Sequence, residues 1–362
     1  ASAKPHIARF RGPTVRPDRR RTAERSTRPM TSMRPMTSMR RTPTIALVTA
    51  VLAALCSVLA TGCASARSAG ADPSARTLHI FDGASGESLG WSDVVARASA
   101  ADATFVGERH DDPTGHAVQL AIYQDLLARF PGTAMAVEHL ERNEQQTLDR
   151  YLRGEITPDQ FIDGTGSRDW AGKDTWVDFW QPLVDTAREH DSPVIAGNAP
   201  RDIVRRARSE GHDALDRLPQ PERATFDIPL QSVAGDDDWN ARWAAYRRRF
   251  QEFMSGGDPT PEDLERTATV FLSQSTWDGT MGASAAQALA AGAPKVVFCA
   301  GCFHIERSGG TVLQFLARRP GAKALTVTVV DDSSPELRDE DRGLADIVIY
   351  GFPVKRAPRT NG

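Results

Sequence analysis

From residue 77 onward the chain alternates short apolar runs with longer stretches of helical period. Residues 77–82 alternate like a strand and stop at Gly83. Residues 103–107 read as a buried strand, followed by a polar turn and a helix over 114–130. The next strand is predicted at 133–137 and the next helix at 143–152. From Gly154 to about Phe253 the period is helical, with loops at 164–166 and 235–238 and one strand at 193–197. A helix over 261–291, a strand at 295–299, a helix over 310–318 and strands at 324–330 and 346–350 complete the pattern. Strands separated by helices of about 10–15 residues imply βαβ units. The expected fold is therefore α/β, a mainly parallel sheet flanked by helices, with a smaller helical domain inserted. The α/β part is expected over 77–153, 190–200 and 256–352, the helical insert over 154–189 and 201–255, and a tail over 353–362.

The first 62 residues break this pattern. Residues 1–41 are rich in Arg, Pro and Thr and cannot bury enough apolar surface to fold. Arg40 and Arg41 then precede an uncharged apolar run over 45–59, the layout of a secretory signal. The run ends Leu59-Ala60-Thr61-Gly62-Cys63, which resembles a bacterial lipobox. Small residues there admit a signal peptidase, and the Cys63 thiol can carry a diacylglycerol thioether. Two acyl chains on Cys63 would anchor the chain stably to a membrane; an uncleaved anchor is the competing use of a run this apolar. Residues 63–76 then form a tether, and Met36 or Met39 is the expected start of translation. Ala64 after the cysteine favours the outer membrane of the cell envelope.

Charge sharpens the division. Residues 1–62 carry 12 basic and 2 acidic residues, so of the chain's 44 Lys+Arg and 47 Asp+Glu, 32 and 45 lie from residue 63 onward. A body of net charge -13 argues against a general nucleic-acid binder. Neither GxGxxG nor GxxxxGK[ST] occurs, which argues against a nucleotide-dependent enzyme.

Polar residues gather where the strands end. In open parallel sheets ligands bind beyond the carboxyl ends. Those ends read Gly107-Glu108-Arg109-His110, Val137-Glu138-His139, Gly197-Asn198-Ala199-Pro200-Arg201 and Gly301-Cys302-Phe303-His304. Two share the form Gly-x-x-His, in which the glycine is expected to permit a tight turn. His110, His304, Glu108 and Glu138 make a plausible nitrogen–oxygen site for iron or for a divalent metal such as zinc or manganese. Either carboxylate could also serve as general base on a metal-bound water. The competing use of the histidines is to pair with the carboxylates and stitch the strand ends together.

These residues carry a resemblance. Phe105-Val-Gly-Glu108-Arg-His110-Asp-Asp-Pro-Thr-Gly-His116, Ala136-Val-Glu138-His139, Ala196-Gly-Asn198-Ala-Pro-Arg201, Trp277-Asp278-Gly-Thr-Met281 and Cys299-Ala-Gly301-Cys-Phe-His304-Ile305 occur in that order. The chain resembles the ChaN-like lipoproteins of the haem-binding-uptake, Tiki superfamily over roughly residues 78–330. The resemblance implies a lipid-anchored envelope protein that binds haem or iron in uptake. The same superfamily includes Tiki-type metalloproteases and is related to erythromycin-esterase-like hydrolases, so a metal-dependent hydrolase using the same His and Glu residues is the alternative. A homodimer is left open.

Haem needs an axial ligand and an apolar slot. Trp239, Trp243, Tyr246, Phe250 and Phe253 share one face of a predicted helix. Tyr246 could ligate ferric iron and Arg247, Arg248 and Arg249 could meet propionates; ordinary core packing is the competing use of the stripe, as it is for Trp170, Trp176 and Trp180. Asp278 lies near the site by resemblance and could equally be a dipole partner near a helix start. Asn198 fits a helix cap as well as a ligand contact, and Arg201 fits a salt bridge as well as an acidic group of a ligand. Cys299 and Cys302 form a C-x-x-C that fits a redox pair, a local disulfide, a metal ligand or two small buried side chains. It is no c-type haem attachment site, because Phe303 stands where histidine is needed.

Overall fold

The structure, a computed structural model, describes residues 73–351. The signal, the lipobox with Cys63, most of the tether and the tail lie outside the described residues. A short 3-10 turn, Pro73–Arg76, leads into β1 (His79–Asp82), β2 (Ser88–Leu89), α1 (Trp91–Ala100) and β3 (Ala103–Glu108). Next come α2 (Pro113–Arg129), β4 (Ala134–Glu141), α3 (Gln145–Leu152), α4 (Pro158–Asp163), α5 (Thr175–Phe179), α6 (Gln181–Glu189) and β5 (Val194–Asn198). Then follow α7 (Arg201–Glu210), α8 (His212–Asp216), α9 (Gln220–Arg223), α10 (Asp237–Ser255) and the longest helix, α11 (Pro261–Ala290). β6 (Val296–Gly301), the one-turn α12 (Cys302–Ile305), α13 (Gly310–Arg318), β7 (Ala324–Asp331) and β8 (Ile347–Gly351) close the fold.

The eight strands form one sheet in the order β2-β1-β8-β7-β3-β6-β4-β5. β1 is antiparallel to both of its neighbours, and every other pairing is parallel. One consequence decides where a site can form. β3, β6, β4 and β5, the four strands whose ends carry the polar residues, are consecutive neighbours running the same way, so their carboxyl ends open on one edge.

Local chemistry sets the element ends. Asp112 accepts from the backbone N–H groups of Thr114 (2.9 Å) and Gly115 (3.1 Å) and starts α2, with Pro113 in its first turn. Thr260 and Asp263 form a capping box ahead of α11, again with a proline, Pro261, at the start. The sheet is covered on both faces. Val106, Val137 and Cys299 belong to one core together with α1, α2 and α6, while Phe105, Ala136 and Phe298 pack with Met281 and Ala285 of α11 and Phe315 of α13.

Several elements differ from the sequence pattern. α1 was not anticipated, because only Val94, Val95 and Ala98 are buried and its small residues give a weak period. β4 and β6 run past their expected ends at Val137 and Cys299, β4 through Glu138-His139 to Glu141 and β6 to Gly301, since Glu138, His139 and the Gly301 N–H find partners there. Residues 154–189 carry no separate core: Phe161, Trp176 and Trp180 join the core of the sheet. Residues 201–255 contribute to two smaller cores, one around Ile203 and Leu215 and one in which Trp239, Trp243, Tyr246 and Phe250 pack with Phe271 of α11 and Leu313 of α13.

Gly282 shows how closely α11 approaches α13. A Cβ there would lie 2.7 Å from the Gln314 Cβ and 2.7 Å from the Phe315 backbone nitrogen. Backbone cannot step aside as a flexible side chain does. Gly282→Ala is expected to cost about 1–3 kcal/mol, read as a lower midpoint in thermal unfolding followed by circular dichroism.

Candidate functional site

Two polar clusters meet at the strand ends, one toward each face of the sheet. The first is built on Glu108, the last residue of β3, whose carboxylate is fully buried. His110 Nδ1 donates to its Oε1 at 3.0 Å, and His139 Nε2 donates to the same oxygen at 3.0 Å. Gln119 Nε2 donates to Oε2, with His116 Nδ1 3.3 Å from that oxygen. Burial alone would raise this carboxyl, but the imidazoles of His116, His139 and His110 around it hold it well below the usual range.

The partners also assign the protons. His139 gives its Nε2–H to Glu108, and its Nδ1 is buried with no hydrogen-bond partner among the described residues. A second proton would have no acceptor, and burial pushes this imidazole's pKa down, so it stays neutral. Its ring lies 4.0 Å from Trp180 and 4.7 Å from Trp170, whose indole N–H donates to the His139 carbonyl. His110 is different, because its side chain is 38% exposed and its Nε2 makes no hydrogen bond among the described residues. Burial lowers its pKa, but the bond to Glu108 and the nearby Glu138 outweigh this and raise it.

The second cluster is built on His304 at the end of β6. Its Nδ1 donates to Asp278 Oδ1 at 2.7 Å, and its Nε2 lies 3.7 Å from Glu138 Oε1. Burial opposes the imidazolium, yet Asp278 and then Glu138 push the pKa up to about 9. Asp278 is itself buried and accepts from Tyr246 (2.6 Å) and Thr311 (2.9 Å). Glu138 accepts from the backbone N–H of Gly301 at 2.7 Å. Gly301 stands between the clusters: a Cβ there would lie 3.2 Å from His110 Cε1 and 3.5 Å from Glu138 Oε2.

A cleft of about 710 Å³ opens over both clusters. One wall is apolar, with Phe250, Phe253, Met254, Val270 and Phe303; another carries arginines of α7. Of the expected site residues, His110, His304, Glu108 and Arg201 line this cleft, while Glu138 sits just beneath it at Gly301. Glu108, His110 and His139 also offer three donor atoms within 4.8 Å of one another, a spacing that suits one metal ion.

Four expectations are corrected. Tyr246 does not reach the cleft: it is buried, donates to Asp278, and burial raises its pKa, so it offers iron no phenolate here. All four tyrosines of the chain are buried. Trp239, Trp243 and Phe250 are core with it, and of that stripe Phe253 alone is exposed. Arg249 instead donates to the Glu306 carbonyl and Arg248 pairs with Glu252, so neither awaits a propionate. Asn198 is buried, with its Oδ1 accepting from the Ala199 N–H at 2.9 Å, and it does not cap α7, whose N-cap is Pro200. Asp278 lies in the middle of α11 rather than near its start; its carboxylate holds His304 and accepts from Thr311 in the first turn of α13.

Cys299 and Cys302 are free, and burial drives both thiols upward, Cys302 to about 12, so neither is a thiolate suited to redox exchange. The glycines of the Gly-x-x-His pairs serve space rather than turning. Gly107 lies within β3, where a Cβ would meet the Cys302 Cα at 3.1 Å, and Gly301 leaves room for His110. Sequence reasoning missed His116, His139, Gln119 and Gln274 as partners. The one signal for His139 was its place beside Glu138, since neighbours on a strand point to opposite faces.

The raised His304 pKa fixes a pH dependence. Its stabilising contribution is fully present below pH 6.5 and is lost as the pH rises through about 9, a swing on the order of 3 kcal/mol. Imidazole titration by NMR is expected to place His304 near 9 and to move it well down in Asp278→Asn. An ordinary value in the unaltered chain would refute the assignment.

Residues 94–315 match the family model described as "Haem-binding uptake, Tiki superfamily, ChaN". Among solved structures, "Cofacial heme binding to ChaN of Campylobacter jejuni" is similar with a TM-score of 0.55 and 18% identity, over 75% of this chain and 96% of that one. An erythromycin esterase mutant, EreC in its open conformation, gives a TM-score of 0.40 and 11% identity over 74% of this chain and 80% of that one. At these identities the likeness concerns the fold alone. No curated protein sequence matches the chain significantly. The family model spans more than half of the chain, both polar clusters included, and the chain therefore belongs to the haem-binding uptake, Tiki superfamily, ChaN family.

Proposed function

We propose that this protein binds haem in the strand-end cleft, as a lipid-anchored envelope protein serving haem or iron uptake. The observation that carries the reading is the His110 imidazole. Its Nδ1 is held by a buried carboxylate while its Nε2 faces an apolar cleft of about 710 Å³, within the range of small-molecule sites. A metal-bound histidine commonly has its other ring nitrogen fixed in this way, which sets the tautomer and raises ligand basicity. His110 would therefore hold the iron, with Phe250, Phe253 and Phe303 beside the macrocycle. Haem bound there would supply iron as an axial-ligand acceptor. The protein's own part is to orient the imidazole, exclude water from the apolar wall and keep His139 neutral behind it. The lipobox-like Leu59–Cys63 segment supports membrane attachment through Cys63, at the outer membrane by the residue that follows.

A second reading has an observation of its own. His110 with Glu108 and His304 with Asp278 are two carboxylate-held imidazoles on either side of Gly301, beside Glu138. Such an arrangement suits a hydrolase with Glu108, His110 and His139 around a divalent metal and Glu138 as general base.

One titration separates the two. Haem added to the purified chain is expected to give a saturable Soret shift that His110→Ala abolishes and Tyr246→Phe leaves intact. No saturable shift, together with about one equivalent of copurifying divalent metal, would transfer the assignment to the hydrolase. For the anchor, Cys63→Ala is expected to release the protein from the membrane fraction on cell fractionation; unchanged retention of an unprocessed chain would favour the uncleaved anchor.

A further inference from the structure

α7 lines the cleft with one stripe of side chains. Arg201, Val204, Arg205 and Arg208 fall at i, i+3, i+4 and i+7 and all face it. Three like charges on adjacent turns repel one another, and Arg201 also stands at the helix start, where the dipole disfavours a cation. Such an arrangement costs stability unless something neutralises it. Arg201 stacks 4.7 Å over Trp170 and lies 3.8 Å from Glu141. The guanidinium groups of Arg205 and Arg208 make no hydrogen bond or ion pair among the described residues. Arg206, on another face of the same helix, is by contrast paired with Glu210 at 3.1 Å.

Among the described residues no anion of the protein pairs with Arg205 or Arg208. The one acidic side chain lining the cleft is Glu108, and its carboxylate is already encircled by donors. Nor is the stripe part of a generally basic surface, since the chain from residue 63 onward carries 32 basic and 45 acidic residues. Across the cleft from this stripe lie the aromatic and aliphatic side chains of α10 and α12. A guanidinium fork binds a carboxylate bidentately and is less strongly hydrated than an ammonium, so it suits the edge of an apolar slot.

We infer that Arg205 and Arg208, aided by Arg201, recognise the carboxylates on one edge of a flat apolar ligand, so that the cleft selects a dicarboxylate over an uncharged body of the same shape. This rests on the haem reading for its occupant, but it assigns to α7 a selectivity that His110 cannot supply. Iron ligation and carboxylate recognition are thus separate contributions from different residues of the cleft lining.

The two are separable by experiment with metal-free protoporphyrin IX, which offers the carboxylates and no iron. Binding to the full chain is followed by porphyrin fluorescence. Arg205→Gln/Arg208→Gln is expected to weaken porphyrin binding ~10-fold or more, and raised salt should weaken binding to the unaltered chain in the same direction. The dimethyl ester is expected to bind weakly and equally to both, and Arg206→Gln to behave as the unaltered chain. Glutamine keeps helix propensity, and an unchanged circular dichroism spectrum verifies the fold. Equal porphyrin affinity in the double variant, with haem still bound by the unaltered chain, would overturn the carboxylate assignment alone. If the unaltered chain binds neither porphyrin nor haem, the haem reading falls and the occupant named here falls with it.

Discussion

The candidate site depends on keeping one carboxylate ionised inside the protein. An isolated buried carboxylate costs several kcal/mol or takes up a proton. Glu108 avoids both outcomes because donors reach it from the turn after β3 (His110), from α2 (His116 and Gln119) and from β4 (His139). The same bonds that stabilise the charge also tie three elements together at the strand ends. They fix which nitrogen of His110 points inward, and hence which one is left for the cleft. An apolar residue at 108 would leave His110 without its orienting acceptor, and the carboxyl edge of the sheet would lose this buried charge.

Much of this was legible in the sequence, and the reason is local. The strand over Ala103–Glu108 is a run of small and apolar residues closed by a charge, and such a run has few other uses. Helix caps such as Asp112-Pro113 and Thr260-Pro261 are read from neighbouring residues. The convergence of four strand ends was also an inference from order along the chain, and the sheet order β3-β6-β4-β5 makes those ends adjacent. What the sequence could not supply was the side of the sheet on which each polar group stands. Glu138 and His139 are consecutive, yet one joins His304 and Gly301 while the other joins Glu108. Register decides that, and it shifts in β4 after Val137.

Tyr246 shows the other limit. Its place in an aromatic stripe of helical period was correctly read as one face, but a face has no address until its partner is known. α11 supplies the partner, with Asp278 accepting the phenol at 2.6 Å and Gln274 donating to it at 2.9 Å. Gly310 closes the arrangement, since a Cβ there would fall 2.3 Å from Asp278 Oδ2 and 2.6 Å from the Tyr246 ring. The tyrosine therefore belongs to the support of His304, two steps away from the cleft. A tyrosine in a haem-binding family invites assignment as a ligand. Burial and a committed hydroxyl assign it otherwise.

The two clusters hold their imidazoles by the same device, a buried carboxylate on Nδ1, but they differ in what is left over. His304 keeps its proton because Asp278 and Glu138 both face it, and it is nearly buried, so it contributes a fixed positive charge beneath the cleft. His110 has one carboxylate in contact, partial exposure and an Nε2 without a partner among the described residues, so it is the imidazole of the two placed to offer a nitrogen to the cleft. Gly301 leaves the room His110 needs, since a Cβ there would lie 3.2 Å from His110 Cε1. Division of labour between the histidines thus follows from how many carboxylates each one meets. It does not require any difference in the histidines' own chemistry.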